Sequence, residues 1–234
     1  MDEPPRENPP RNDPRGEIYV RPVRQPMFNV PPITLAAVGV ITAMFLLLQV
    51  VPQDWQYWIV LHFALVPARL AAAWADPLGP QALFGFGGLV LHTLVHLDWV
   101  HWALNAGFLL AFGALCERVF GPRRYLLLLL VATLSGAAAQ LILDWSGGFV
   151  MFGASGAVAG CFAGASRLMV SAPDPRRRRT GWSLLIVLVG TNALLAVFGG
   201  AMLGVDGQIA WQAHLGGFVG GWLMAFRPNR IRFR

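Results

Sequence analysis

Apolar residues in this chain come in long blocks, not in the two-residue alternation of a half-buried strand. Six blocks approach the 17–25 residues that carry a helix across a bilayer: about 33–51, 100–119, 125–143, 153–170, 182–198 and 208–226. Pro31 and Pro32 open the first block and Pro52 closes it. Gly121-Pro122 breaks the chain after the second, and Asp144 ends the third. Residues 53–87 hold shorter apolar pieces, interrupted by Arg69, Asp76 and three prolines, with Trp55, Tyr57, Trp58 and Trp74 among them. Trp and Tyr concentrate at the membrane–water boundary, so this stretch is expected to be a long interfacial loop between the first two spans. Residues 1–32 are rich in Pro, Arg and acids, show no periodicity, and read as a disordered tail. They lack the short apolar core of a signal peptide, and their five acidic residues do not suit a mitochondrial transit peptide. The expected architecture is all-α: a polytopic membrane domain of six transmembrane helices over 33–227, followed by a short basic tail, 228–234.

Composition agrees with the pattern. Of 234 residues, 56% are hydrophobic and 13% charged, against about 25% charged in a soluble domain. Mean hydropathy is +0.54. A formal charge of +6 would suit nucleic acid, but its placement does not. All 18 basic residues are arginine, and only Arg69 lies outside the N-terminal tail, the 118–124 and 167–179 connections and the end of the chain. Arginine clusters beside apolar spans mark the cytoplasmic side of a membrane protein. Both termini are therefore expected in the cytoplasm, with Asp54, Asp76, Asp98, Asp144 and Asp206 outside. The partner implied is the lipid bilayer, not nucleic acid. Cys116 and Cys161 sit in apolar runs and read as packing residues, not as a disulfide or a metal pair.

Polar side chains are expensive inside such spans and are usually there for a reason. Ser155 precedes Arg167 by 12 residues, His214 precedes Arg227 by 13, and Asn105 precedes Arg118 by 13. At ~1.5 Å per helical residue, each lies about 18–20 Å above the inner boundary. In a ~30 Å core that is about 10–12 Å below the outer surface. Three spans thus bring polar groups to one depth, and His101 shares the face of Asn105 at i, i+4. Gly156, Gly160 and Gly164 in the fourth span, and Ala213, Gly217 and Gly221 in the sixth, form small-residue ridges that permit close backbone approach. If those ridges face each other, Ser155 meets His214.

A serine hydroxyl becomes a useful nucleophile when a base takes its proton, and a neutral imidazole can do so. The chain contains no lysine, so a Ser–Lys pair is impossible. Ser155 is assigned as nucleophile and His214 as base and acid. Ser155 opens a helix, where free N–H groups and the positive end of the dipole favour an oxyanion. Asn105 and His101 can add donors, while Gly153 and Gly156 leave room for a substrate backbone. Each residue also has a plainer role: serine and glycine pack helices, an intramembrane histidine relays protons or bonds its neighbours, and asparagine joins helices. No acid shares the depth of His214, so a dyad is expected in preference to a triad through Asp206. His92 and His96, at i, i+4, could share a metal with His101 or His62, but the neighbourhood is poor in carboxylates and thiolates. They are read as hydrogen-bonded support above the site, with no metal. Glu117, close to Arg118, Arg123 and Arg124, reads as an ion pair or a helix-end bond.

Gly153-Ala154-Ser155-Gly156, His101-x-x-x-Asn105 and Ala213-His214-x-x-Gly217-x-x-x-Gly221, in this setting, resemble the rhomboid intramembrane serine proteases. His92-x-x-x-His96 and Glu117-Arg118-x-x-Gly121 strengthen the resemblance, which covers about residues 34–227. It implies a Ser155–His214 dyad with His101, Asn105 and the Ser155 N–H as oxyanion donors, and no metal or cofactor. It also implies cleavage of single-span transmembrane proteins near the outer end of the span, in a bacterial cytoplasmic membrane. A lateral gate at the fifth span and a cap loop around 199–206 would accompany this. Two features depart from the family pattern. The position four residues after the serine is often an aromatic that stacks on the histidine, and here it is Ala159. The first loop has no clear Trp-Arg pair. Phe162 and Trp211 are the candidates to support His214 instead. An inactive relative that holds transmembrane clients, and a histidine-lined transporter, are the competing readings.

Overall fold

The computed structural model describes residues 29–144, 148–198 and 209–225. Among them the chain is mostly helical, with no strands. Helix α1 is Pro32–Val50, and three short helices follow: α2 (Gln53–Phe63), α3 (Pro67–Ala75) and α4 (Ala82–Leu91). A 3-10 turn, His92–Leu94, ends α4. Helices α5 (Trp99–Phe108) and α6 (Ala114–Phe120) are joined by a π turn, Leu109–Gly113, into one rod. Then come α7 (Pro122–Leu143), α8 (Ser155–Val170), α9 (Pro175–Phe198) and α10 (Trp211–Met224).

Four stretches are long and apolar enough to cross a membrane: Pro32–Val50, Trp99–Phe120, Pro122–Leu143 and Pro175–Phe198. This is a multi-pass helical membrane protein. The remaining expected spans, α8 and α10, are shorter at 16 and 14 residues. Burial explains the length of α8. Twelve of its 16 residues are buried, so it stands at the centre of the bundle, screened from lipid by its neighbours. A helix end buried in protein can begin at membrane depth, because its free N–H groups do not face hydrocarbon.

Helix α9 is the opposite case. Only 11% of its apolar window is buried, against 33% for α7, so it stands at the edge. It begins at Pro175, seven residues before the apolar block expected to start at 182. Asp174 caps it, its carboxylate accepting the Arg176 N–H at 3.0 Å, so the arginine run is helical.

The stretch expected as a loop, 53–87, is built of helices. Their apolar pieces are too short for periodicity to reveal them. They hold together through rings and buried small residues: Trp58 stacks on His62 at 4.2 Å, Phe84 meets His62 edge-on at 4.7 Å, and Ala73 is buried. The Arg69 guanidinium donates to the Leu61 carbonyl, which settles the lone outlying cation.

Glu117 forms the helix-end bond expected of it, but with a distant helix. Its carboxylate accepts from the N–H groups of Ile33 (3.0 Å) and Thr34 (2.7 Å) and from the Thr34 hydroxyl (2.8 Å). These are free donors in the first turn of α1. Cys116 and Cys161 are free thiols, and Cys116 donates to the Cys161 carbonyl at 3.3 Å. The N-terminal tail up to residue 28 and the expected cap loop, with Asp206, lie outside the described residues, as does the basic C-terminal tail.

Candidate active site

Small residues decide how the site assembles. A Cβ on Gly217 would lie 2.0 Å from the Gly156 carbonyl oxygen, and one on Gly221 would lie 2.2 Å from that of Gly160. Only glycine permits this approach of α10 to α8. The two ridges do face each other. Gly164 points elsewhere, towards Cys116 and Leu128. A third partner carries no motif: Gly216 and Gly220 of α10 press on Ser135 of α7, and Gly136 presses on the Ala213 carbonyl. Helix α10 therefore lies in a groove between α7 and α8.

That packing brings Ser155, at the first turn of α8, to His214, in the first turn of α10. His214 Nε2 lies 2.8 Å from Ser155 Oγ, hydrogen-bond distance between residues 59 apart in sequence. Both side chains are half-buried.

The segment leading into Ser155 is held from two directions. Met151 exchanges both backbone hydrogen bonds with Leu65, at 2.9 and 3.0 Å, an isolated antiparallel bridge to the first loop. The Gly153 N–H then donates to the His92 carbonyl at 2.8 Å, and the Ala154 N–H to His96 Nε2 at 3.3 Å. The His92 ring bonds the Gly88 carbonyl at 2.8 Å. The serine loop is thus held by the His92 backbone carbonyl and the His96 ring, while the His92 ring bonds within its own helix.

Gly153 adopts φ +110°, which side chains rarely tolerate, and a Cβ there would lie 2.5 Å from His101 Nε2. The His101 ring therefore rests against the loop two residues before Ser155. Asp98 caps α5, accepting the His101 N–H at 2.7 Å, and so fixes the turn that carries this ring. One turn on, Asn105 is buried, its amide donating to the His101 carbonyl at 2.8 Å and its Oδ1 unpartnered. Asp98 and Met151 were not singled out as site residues in the sequence. An acid three residues before His101 was the available signal for Asp98. Nothing local marked Met151.

Aromatic support for His214 differs from expectation. Phe162 pairs with Phe112 at 4.4 Å. Trp211, Phe218 and Asn192 instead line, with His214, a cavity of about 220 Å³ between α9 and α10. Among the described residues no ring stacks on His214.

Fold and site together define a multi-pass membrane protein with a serine–histidine pair enclosed in its helical bundle. The family pattern of the Rhomboid domain matches residues 84–228, and the chain belongs to the rhomboid family. It is 27% identical to the rhomboid protease GluP of Bacillus subtilis (strain 168) over 137 residues, 58% of this chain and 25% of that protein. It is 26% identical to YdcA of the same organism, also named as a rhomboid protein, over 168 residues, 70% of this chain and 80% of that one. The chain thus matches a quarter of the length of GluP.

Proposed function

We propose that this chain is an intramembrane serine protease that cuts single-span membrane proteins in or near their transmembrane segment. The observation that carries the proposal is the 2.8 Å approach of His214 Nε2 to Ser155 Oγ inside a membrane bundle. Membership of a family whose named relatives include a protease supports it.

The chemistry follows from the pair. With its proton on Nδ1, His214 accepts the Ser155 proton at Nε2 as Oγ attacks the scissile carbonyl. Negative charge then builds on the carbonyl oxygen. The Ser155 N–H, free at the start of α8, is one donor to it, with His101 and the second amide hydrogen of Asn105 as the others. His214 returns its proton to the leaving amine, and the acyl group stays on Ser155. Water, deprotonated by the same imidazole, releases it. No metal or cofactor is needed for these steps.

The proposed topology has six spans, α8 and α10 included, over a membrane domain of 33–227. The tails 1–32 and 228–234 lie in the cytoplasm, and α2 and α3 lie at the outer interface, where Trp55, Tyr57 and Trp74 are exposed. A substrate helix must unwind to present its carbonyl, so helix-destabilising residues near the cut favour cleavage.

A second reading, a client-binding protein without activity, draws on Ala159 and on the unstacked His214. Cleavage of a single-span reporter by purified protein in liposomes separates the two. Wild type should cut, and Ser155→Ala and His214→Ala should not, while all three remain folded. Failure of wild type to cut several reporters and to take a fluorophosphonate at Ser155 would favour the client-binding reading.

A further inference from the structure

At the arginine-bearing end of the bundle, α6, α8 and the start of α9 enclose a groove of about 380 Å³. Its floor is apolar, with Leu115 from α6 and Leu168 and Met169 from α8. Its rim is cationic and polar, with Arg176, Arg177 and Thr180 from the first turns of α9, all exposed. We propose that this groove binds one anionic phospholipid, an acyl chain along the apolar floor and the phosphate at Arg176 and Arg177.

Charge complementarity selects the occupant. Four consecutive arginines, Arg176 to Arg179, follow a single acid in sequence, Asp174. That acid is partly engaged: it caps α9 through the Arg176 N–H and stands 3.9 Å from the Arg177 Nε, an exposed pair worth little. The surplus is cationic, and a guanidinium matches phosphate oxygens in shape and charge. The apolar floor offers dispersion contacts to a lipid tail. The arginine-inside rule does not predict this, since it concerns charge alone and any of the four arginines meets it equally. Only Arg176 and Arg177 line the groove; Arg178 and Arg179 do not.

The proposal is independent of the chemistry at Ser155, and its test reads binding. Full-length protein in neutral detergent is titrated with phosphatidylglycerol, and separately with phosphatidylcholine, and observed by native mass spectrometry. Detergent removes the diffuse field of an anionic leaflet, so a discrete site stands out. One phosphatidylglycerol should persist where phosphatidylcholine is stripped. Replacing both Arg176→Gln and Arg177→Gln should weaken it about 10-fold or more. Replacing both Arg178→Gln and Arg179→Gln, the same change of charge on the same helix, should weaken it less than about twofold. Equal losses in the two double variants would mean diffuse attraction and overturn the site. Equal retention of phosphatidylcholine would overturn it too. Displacement by millimolar inorganic phosphate would reduce it to a bare anion contact without the acyl chain, and would also overturn it.

Discussion

Gly217 packs on Gly156 with no room for a methyl group, since a Cβ at Gly217 would stand 2.0 Å from the Gly156 carbonyl oxygen. These two glycines set the distance between α8 and α10, and so between Ser155 and His214. Backbone cannot give way as a side-chain tip can, so a larger residue must push the helices apart.

Gly217→Ala should therefore reduce reporter cleavage by about 100-fold, the effect of misplacing reacting groups by about 1 Å. Gly39→Ala is the control, because nothing lies within 4 Å of a Cβ there. Cleavage rates in liposomes, with folding followed by circular dichroism, check the pair. Equal activity in both variants would remove the packing argument.

If His101 and Asn105 serve as the proposed oxyanion donors, His101→Ala and Asn105→Ala should each lower kcat by about 100-fold and leave KM nearly unchanged. Fluorophosphonate labelling should slow in parallel, since that adduct also places an oxygen where the oxyanion forms. A rise in KM with kcat intact would assign them to substrate binding instead.

Asp98 acts on the site through a helix cap. Asp98→Ala should cost about 1 kcal/mol of stability by loss of the bond to the His101 N–H, and Asp98→Asn should keep most of it. Because that turn carries His101, Asp98→Ala should also lower kcat. Thermal unfolding in detergent and cleavage kinetics on the same preparations give both readouts.

Glu117 ties α6 to the start of α1 through three hydrogen bonds and is 4% exposed. Glu117→Ala leaves buried donors without an acceptor and should destabilise the bundle by about 3 kcal/mol. Thr34→Val removes only the hydroxyl bond and should cost about 1 kcal/mol. Urea or thermal unfolding of the two variants should rank them in that order.

How much of this was legible in the chain depends on range. The apolar blocks marked helices, four of them long and apolar enough to cross a membrane, because any membrane span must be apolar and satisfy its own backbone. Spacing alone put the Gly156–Gly160 ridge and the Ala213–Gly217–Gly221 ridge on helix faces, and the arginine ruler put Ser155, His214 and Asn105 at one depth. What could not be read locally was which faces meet. On α7, Leu128 is 1% exposed and Leu127 46%, although the two are chemically identical. In lipid both the inner and outer faces of a helix are apolar, so hydropathy does not separate them. The bed that Ser135 and Gly136 provide for α10 therefore went unmarked. The Leu65–Met151 bridge and the Glu117–Thr34 bonds join residues 86 and 83 apart in sequence. The sequence alone determined the membrane class, the family motifs and the candidate residue types for the proposed chemistry. The tertiary structure decided their contacts, because the bundle's pairings depend on packing between distant segments, which no local pattern encodes.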